Sequence, residues 1–448
     1  MKIKTFLIEN IVFPIGDLLM GTEIRKQLLI QRAYSRMNEI ELAFVQEEKL
    51  NNLLQHATTT CEFYKHLYLE NFSGKDWLKQ FPILKKEVTL KHCSKLISSD
   101  YKLKSLIKYE SSGSSGLRSV VYVDKKEQSI MRAILINWWE WNSYFLGKRV
   151  LQTGMSPERG FLKTLKDKFL STKYVTAFGL DEESLLAVLN DNKVMTKAHL
   201  FGYASSLYEL AKIANKYKLN IQFDLAMSQG DKLFDHYITE IERAFKCNVV
   251  EDYGLNEGFM IGQKKDLPYF YISTPNVYVE ILDDNNNQVL DGQIGRIVAT
   301  KLDGYAMPLI RYDTGDLGVM LPREDYPKKR DLAFPLLSKV IGRNTDIIRT
   351  PDGKVLIVHT FTGIFEFFSE IKQFQVVQEI RSAITINYIP SHDFHISVIK
   401  KIEDVFRKRT RSDITIDWKE VNQILPSKSG KPQIIVNNML KQSLTELE

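Results

Sequence analysis

Five short stretches of this chain combine residue types that could grip a nucleotide. In Ser111-Ser112-Gly113-Ser114-Ser115-Gly116 the glycines let backbone N–H groups approach an anion, and four hydroxyls add donors for phosphate oxygens. The plain alternative is a flexible linker or tight turn. A P-loop of the nucleoside triphosphatase type is excluded, because no Gly-Lys-Ser/Thr closes the stretch. In Asp252-Tyr253-Gly254-Leu255-Asn256-Glu257-Gly258, Tyr253 could lie flat on a purine and Glu257 could offer a carboxylate oxygen to Mg²⁺. By themselves, a tyrosine and a glutamate in a strand-to-loop turn more often serve packing and solvation. In Met307-Pro308-Leu309-Ile310-Arg311-Tyr312-Asp313-Thr314-Gly315-Asp316, the last carboxylate could accept both ribose hydroxyls, or merely cap a turn. Arg343, in Ile341-Gly342-Arg343-Asn344-Thr345-Asp346, and Lys431, in Pro426-Ser427-Lys428-Ser429-Gly430-Lys431, would each pass alone for a surface cation.

The elements that must position these residues follow from periodicity. From Glu23 to about Tyr68 apolar residues recur at helical spacing without Gly or Pro, which predicts two helices. Gly74, Pro82 and Leu84-Lys85-Lys86 predict loops, Val120-Val121-Tyr122-Val123 a strand, and Leu207–Ala214 and Phe234–Phe245 helices. Ile221-Gln222-Phe223 and Asn248-Val249-Val250 read as buried strands of an α/β sheet. Val277–Leu282 and Ile297–Thr300 flank the turn-rich Asp283-Asp284-Asn285-Asn286-Asn287, which is hairpin chemistry and predicts a β subdomain. Beyond Ile341, a turn at Pro351-Asp352-Gly353, a helix near 364–371, strands at 374–380, 383–388 and 414–416, and a helix carrying Ile399, Ile402, Val405 and Phe406 predict a compact α+β unit.

The 448 residues carry a net charge of +6, with 44% apolar and 26% charged residues, a balance that argues against disorder and is too dilute for a nucleic-acid binder. Cys61, Cys93 and Cys247 lie far apart, which excludes a disulfide framework or close-spaced zinc knuckle and suits a reducing, cytoplasmic compartment. No apolar run reaches the roughly 20 residues that span a bilayer, so no transmembrane segment is expected. Phe6, Leu7, Ile8, Ile11, Val12 and Phe13 form either a sticky surface segment or a strip packed on the body of the protein.

The ordered set of glycine-serine loop, Tyr-Gly-x-x-Glu, Tyr-x-Thr-Gly-Asp, Gly-Arg-x-x-Asp and Ser-Gly-Lys resembles the adenylate-forming enzymes, the superfamily of acyl-CoA synthetases, peptide synthetase adenylation domains and luciferases. Phe81–Lys86, Phe201–Leu207, Ser228–Leu233 and Phe374–Gln378 are most similar to the phenylacetate-CoA ligase and CapK-like capsular polysaccharide group, over residues 48–436. The resemblance implies a large adenylation domain over 1–342, with a helical extension over about 1–80, and a small mobile α+β domain over 343–448. It implies that Ser111, Ser112, Gly113, Ser114, Ser115 and Gly116 hold phosphates, that Asp252, Tyr253 and Gly254 frame adenine, and that Glu257 binds Mg²⁺. Asp316 and Arg343 would hold the ribose, and Lys431 would bridge the carboxylate and the α-phosphate. The implied reaction turns a carboxylic acid and ATP into an acyl-adenylate and pyrophosphate, then passes the acyl group to coenzyme A. An amine acceptor in polysaccharide or secondary-metabolite biosynthesis, or a nucleotide-binding relative without turnover, are the other readings, and a homodimer is compatible with all three. Arg118 stands where the family's loop continues into Lys, and Trp138-Trp139-Glu140-Trp141 replaces a Gly-Tyr-Gly stretch; these tryptophans either line an acyl pocket or pack in the core.

Overall fold

The computed structural model describes residues 2–67, 74–110, 120–154, 167, 170–176, 182–191, 197–343, 347–352, 355–365, 367–425 and 433–439. Among them one sheet of eleven strands dominates the larger part of the chain. Its order is Val277–Leu282, Gly295–Lys301, Tyr312–Met320, Leu336–Arg343, Phe270–Ile272, Met260–Gln263, Val249–Gly254, Leu225–Gln229, His199–Tyr203, Val150–Gly154 and Thr172–Thr176. The first seven pair antiparallel and the last five parallel, so Val249–Gly254 belongs to both sets. Its first half runs parallel to Leu225–Gln229 (Ala226↔Val249), and its second half antiparallel to Met260–Gln263 (Asp252↔Gln263).

The parallel half is built from strand–helix–strand units, because each parallel strand needs a crossover. The helices Glu182–Asn190, Ala204–Lys216 and Asp235–Phe245 bury Leu189, Leu207, Leu210, Ile241 and Phe245. Asp231 caps the middle helix, accepting from Ala204 N at 2.5 Å and Ser205 N at 3.1 Å. The expected strand at Ile221-Gln222-Phe223 is not one. Ile221 and Phe223 are buried, but Phe223 N bonds to Phe245 O and pairing begins only at Leu225. A connection whose side chains alternate into a core carries the strand period without a partner strand.

In the antiparallel half the expected hairpin forms, with Val277↔Lys301 and Leu282↔Arg296 in register. The Asp283 carboxylate fixes its turn by accepting from the backbone of Asn285 and Asn287, each at 2.8 Å. The two expected N-terminal helices are Ile24–Tyr34 and Glu39–Thr60, the second opened by a capping box in which Asn38 and Glu41 exchange hydrogen bonds. Gly74 and Lys86, expected in loops, instead begin the short helices Gly74–Leu78 and Lys86–Lys91. Between them the chain docks on the sheet: Leu84 N donates to Arg311 O at 2.9 Å, and Asp313 N to Leu84 O at 3.1 Å.

The terminal part holds a four-stranded sheet in the order Thr415–Glu420, Ala383–Pro390, Ile371–Ile380, Ile435–Asn437, beside the hairpin Ile347–Arg349/Val355–Ile357. Helices Val358–Phe365 and Ser397–Thr410 cover it through Phe361, Ile364, Ile402 and Phe406. The first of these helices lies ahead of the expected 364–371, because the chain turns at Phe368 and is already in the strand at Ile371. The mixed α/β region with a smaller α+β unit is therefore as the sequence led us to expect. Of the N-terminal apolar strip, Ile8, Val12 and Phe13 pack inward while Phe6, Leu7 and Ile11 face solvent.

Arg311 ties this frame together. Buried, it donates from Nε and Nη2 to Glu280 at 3.1 and 2.9 Å and from Nη1 to the carbonyls of Lys79 and Phe81 at 3.3 and 3.1 Å. Arg311→Met would strand a buried carboxylate and two carbonyls. It should cost about 3–5 kcal/mol in urea unfolding, and a loss below about 1 kcal/mol would show that water reaches the pair.

Candidate active site

The sheet gathers several of the expected residues around the strand that changes pairing mode. Tyr253, near the end of that strand and buried, donates from its hydroxyl to Asp316 Oδ2 at 2.8 Å. Asp316 stands opposite Arg343 in the pairing of Tyr312–Met320 with Leu336–Arg343. Three residues 63 and 27 positions apart in the chain thus come to one place. The turn before Asp316 is shaped by its neighbours: Gly315 N bonds to Asp313 Oδ1 at 3.0 Å, and Thr314 Oγ1 to Ile297 O at 2.9 Å. Asp313 therefore caps the turn, and Asp316 is the carboxylate aimed at Tyr253.

Asp252 precedes Tyr253. Desolvation, with the Glu251 carboxylate adding repulsion, pushes its carboxyl up to about 8. Gly254 ends the strand, and a Cβ there would stand 2.6 Å from the carbonyl oxygen of Phe259, so only glycine lets the next turn close. That turn brings Glu257 inward, 8% exposed, where Oε1 accepts from the Tyr312 hydroxyl at 3.3 Å. Burial foremost, and the Glu257 charge after it, raise the Tyr312 hydroxyl above its ordinary value and keep it a donor.

Two residues beneath Glu257 drew no notice in the sequence. Lys301 Nζ donates to the Glu257 carbonyl at 3.0 Å and pairs with Glu127 Oε1 at 2.5 Å, both side chains buried beside a small cavity lined by Ile130, Ile134 and Met260. Burial pushes the Glu127 carboxyl up to about 7 against the pull of Lys301. Lys301 directly follows the apolar Ile297-Val298-Ala299-Thr300 and reads as the polar end of a strand, and nothing local ties it to Glu127. The tryptophans prove to be packing. Trp139 stacks edge-on against Phe201 with ring centroids 4.7 Å apart, Trp138 is buried, and Trp141 Nε1 donates to Ser35 Oγ at 2.9 Å.

Ser111 to Gly116, Arg118 and Lys431 lie outside the described residues. Their flanks are described. Ile107–Glu110 and Val120–Val123 form an antiparallel ribbon with Glu110 opposite Val120, at either end of the serine-glycine stretch. Downstream of Lys431, Gln375 Nε2 donates to Gln433 O at 3.0 Å, and Ile435–Asn437 runs parallel to Ile371–Ile380.

Comparison with known proteins fits this geometry. Residues 348–438 match the CapK C-terminal domain family. Protein CapK of Staphylococcus aureus is 24% identical over 94% of this chain and 95% of its own length. A phenylacetate-coenzyme A ligase of Pseudomonas putida is 32% identical over 169 residues, 36% of each chain. The crystal structure of 2-hydroxyisobutyryl-CoA ligase in its postadenylation state, in complex with R3-HIB-AMP, superposes with a TM-score of 0.70 at 16% identity, covering 92% of this chain and 93% of that one. The same enzyme with 2-HIB-AMP and CoA in its thioesterification state gives a TM-score of 0.54. The chain thus has the fold of the adenylate-forming CoA ligases. In sequence it is similar to CapK along most of its length and to phenylacetate-CoA ligases over about a third of it, so the resemblance seen in the sequence is borne out.

The buried pair yields a prediction whose sign depends on pH. An acid whose folded pKa is raised loses stability as pH climbs from its unfolded value, about 4.3, through the folded value near 7. Lys301→Met removes the cation that favours ionised Glu127 and pushes its carboxyl higher still. It should therefore cost about 3–5 kcal/mol at pH 8, where Lys301 stabilises the charged form in the wild type, and clearly less at pH 5, where Glu127 is neutral in both. Glu127→Leu/Lys301→Met should recover most of the loss. Equal losses for Lys301→Met at both pH values in urea titrations would contradict a charge on Glu127.

Proposed function

We propose that this protein is an ATP-dependent ligase that adenylates a carboxylic acid, releases pyrophosphate and passes the acyl group to coenzyme A. The observation that carries the reading is the Tyr253–Asp316 hydrogen bond with Arg343 opposite Asp316, because it joins motif residues from three strands of an adenylate-forming fold. Asp316 is suited to accept ribose hydroxyls, because an ionised carboxylate accepts through two oxygens. Tyr253 and Gly254 would border the adenine, with Asp252 beside them. Near neutral pH Asp252 is largely protonated, and so able to donate as well as accept.

Glu257 fits Mg²⁺ in the manner usual for nucleotide enzymes, where one or two carboxylates and the phosphates share the ion. Its Oε1 accepts from the Tyr312 hydroxyl at 3.3 Å. The ion would neutralise charge on the phosphates. The chain's own part is to fix that carboxylate, through Lys301 on its backbone and Tyr312 on its side chain. Ser111, Ser112, Gly113, Ser114, Ser115 and Gly116 would hold the phosphates. In the reaction a carboxylate oxygen of the acid attacks the α-phosphorus as the bond to pyrophosphate breaks, and charge grows on the equatorial oxygens. Lys431 would meet that charge with its ammonium.

Residues 1–342 would form the adenylation domain and 343–448 the mobile unit, with the hinge just after Arg343; the two-step chemistry would use a rotation between the halves. Coenzyme A is the acceptor we favour, because the phenylacetate-coenzyme A ligase similarity and the 2-hydroxyisobutyryl-CoA ligase fold both lie on that side.

The test is ATP–pyrophosphate exchange over a panel of aryl, fatty and amino acids. One acid or acid class should support exchange. Lys431→Ala should lower it about 10²–10³-fold while leaving thioester formation from supplied acyl-adenylate nearly intact, since loss of one charge stabiliser costs about that much. ATP binding without pyrophosphate release for every acid would mark a nucleotide-binding relative without turnover. Equal loss in both half-reactions would rule Lys431 out as the cation that meets the α-phosphate charge. In the same assay Asp316→Ala should raise the KM for ATP at least about tenfold, the worth of a charged hydrogen bond.

A further inference from the structure

The chain opens with a helix that is apolar on both faces. Residues 2–20 form one continuous run, right-handed at Leu7, Val12 and Phe13, with a wide π turn over Ile8–Val12 ahead of Pro14, which has no N–H to donate. It ends at Gly21, in the left-handed conformation. Its inner face is committed. Ile8, Val12 and Phe13 pack with Leu28, Leu146 and Trp139. Thr5 Oγ1 donates to Leu146 O at 3.1 Å, and a Cβ on Gly147 would fall 2.7 Å from Ile8 Cδ1.

Both acids of the helix are turned to the body of the protein. Glu9 pairs with Arg32 at 2.6 Å, and its carbonyl accepts from Arg25 Nε at 3.0 Å. Asp17 accepts from Thr22 Oγ1 at 2.6 Å and from the backbone of Ile24 and Arg25 at 2.9 and 3.0 Å. What remains outside is largely apolar, Phe6 included. Ile3, Leu7, Ile11, Ile15 and Leu18 follow one another at helical spacing, with Leu19 beside them; Leu18 is 84% exposed and Leu19 77%. Among the described residues of the helix, Asn10 and Lys4 are the exposed polar ones; the Asn10 amide is already bonded to Phe6 O and Arg25, and Lys4 donates to Ser171 Oγ. A cation stands at the end of the strip, where Lys125 Nζ reaches Met20 O at 2.7 Å; Lys126, next in the chain, is exposed, as is Lys26 on the helix that follows, its pairing with Glu23 loose at 3.4 Å.

A docking face for a folded protein carries polar groups, about one hydrogen bond per 100–200 Å². This strip offers apolar groups along its length, with a lysine at its end and exposed lysines in the neighbouring segments, the pattern of a helix that lies in the plane of a bilayer. We infer that the helix over residues 2–20 seats this protein on an anionic lipid surface, its outer strip in the acyl boundary and Lys26, Lys125 and Lys126 against lipid phosphates. The helix does not span the bilayer: its other face is held by the protein.

The test is co-sedimentation of the full-length protein with vesicles of phosphatidylcholine alone and of phosphatidylcholine with an equal part of phosphatidylglycerol. The wild type should pellet with the mixed vesicles, and far less with the neutral ones. Ile15→Asn/Leu18→Asn/Leu19→Asn should lower the partition coefficient at least about tenfold with a little-changed thermal melt, since these side chains are mostly exposed in the free protein. Lys26→Glu/Lys126→Glu should lower binding to the mixed vesicles alone, and added salt should reproduce that effect. Wild type that stays in the supernatant with both vesicles overturns the inference. So does a wild-type dimer that the triple Asn variant converts to monomer, because a second copy would then cover the strip.

Discussion

One constraint organises the molecule: Val249–Gly254 must pair parallel along its first half and antiparallel along its second. The parallel edge ties it to a layer of strand–helix–strand units, while the antiparallel edge ties it to hairpins that need no helices. A strand held from both sides has little freedom in register, since a slip of one residue would turn every side chain to the opposite face. Tyr253 is thereby aimed at Asp316 and not away from it. Open sheets present ligands at the carboxyl ends of their strands, where the connections diverge. In this sheet the divergence is between two modes of pairing, and the motif residues lie at that end.

Buried charge supports the same region. Arg311 with Glu280 clamps the Phe81–Leu84 segment against the antiparallel strands, and Lys301 with Glu127 lies under the turn that carries Glu257. Such pairs contribute little net stability, because desolvation offsets most of their attraction, but removing one partner is costly. Their effect is to make wrong arrangements of the turn expensive. Asp252 is forced toward its neutral form by burial, and the Tyr312 hydroxyl, kept protonated, stays a donor to Glu257.

Local patterns foretold much of this and missed what depends on distant partners. The helices at 24–34 and 39–60 follow from spacing and from the Asn38 cap, and the hairpin at 277–301 follows from Asp283 and the asparagines after it. Phe223 misled because burial alternates along it while its hydrogen bond goes to a helix end. Gly74 and Lys86 misled because residues that often break structure also start helices. Tyr253, Asp316 and Arg343 were legible as motifs, but that two of them touch and the third stands across the ladder is a property of the sheet. Lys301 and Glu127 are 174 positions apart, and neither residue carries any mark of the other. The N-terminal strip was legible as apolar, yet its division into a packed and a bare face depends on Gly147, Arg32 and Arg25, which only the fold supplies.

The central claim is that Tyr253, Asp316 and Arg343 form the floor on which a nucleoside rests. The most direct measurement is a crystal structure of the protein with an acyl-sulfamoyl adenosine, an unreactive mimic of an acyl-adenylate. The account predicts the ribose hydroxyls within hydrogen-bond distance of the Asp316 carboxylate and the adenine edge against Tyr253 and Gly254. A mimic bound elsewhere, with the Tyr253–Asp316 bond undisturbed and no ligand atom near either, would contradict it.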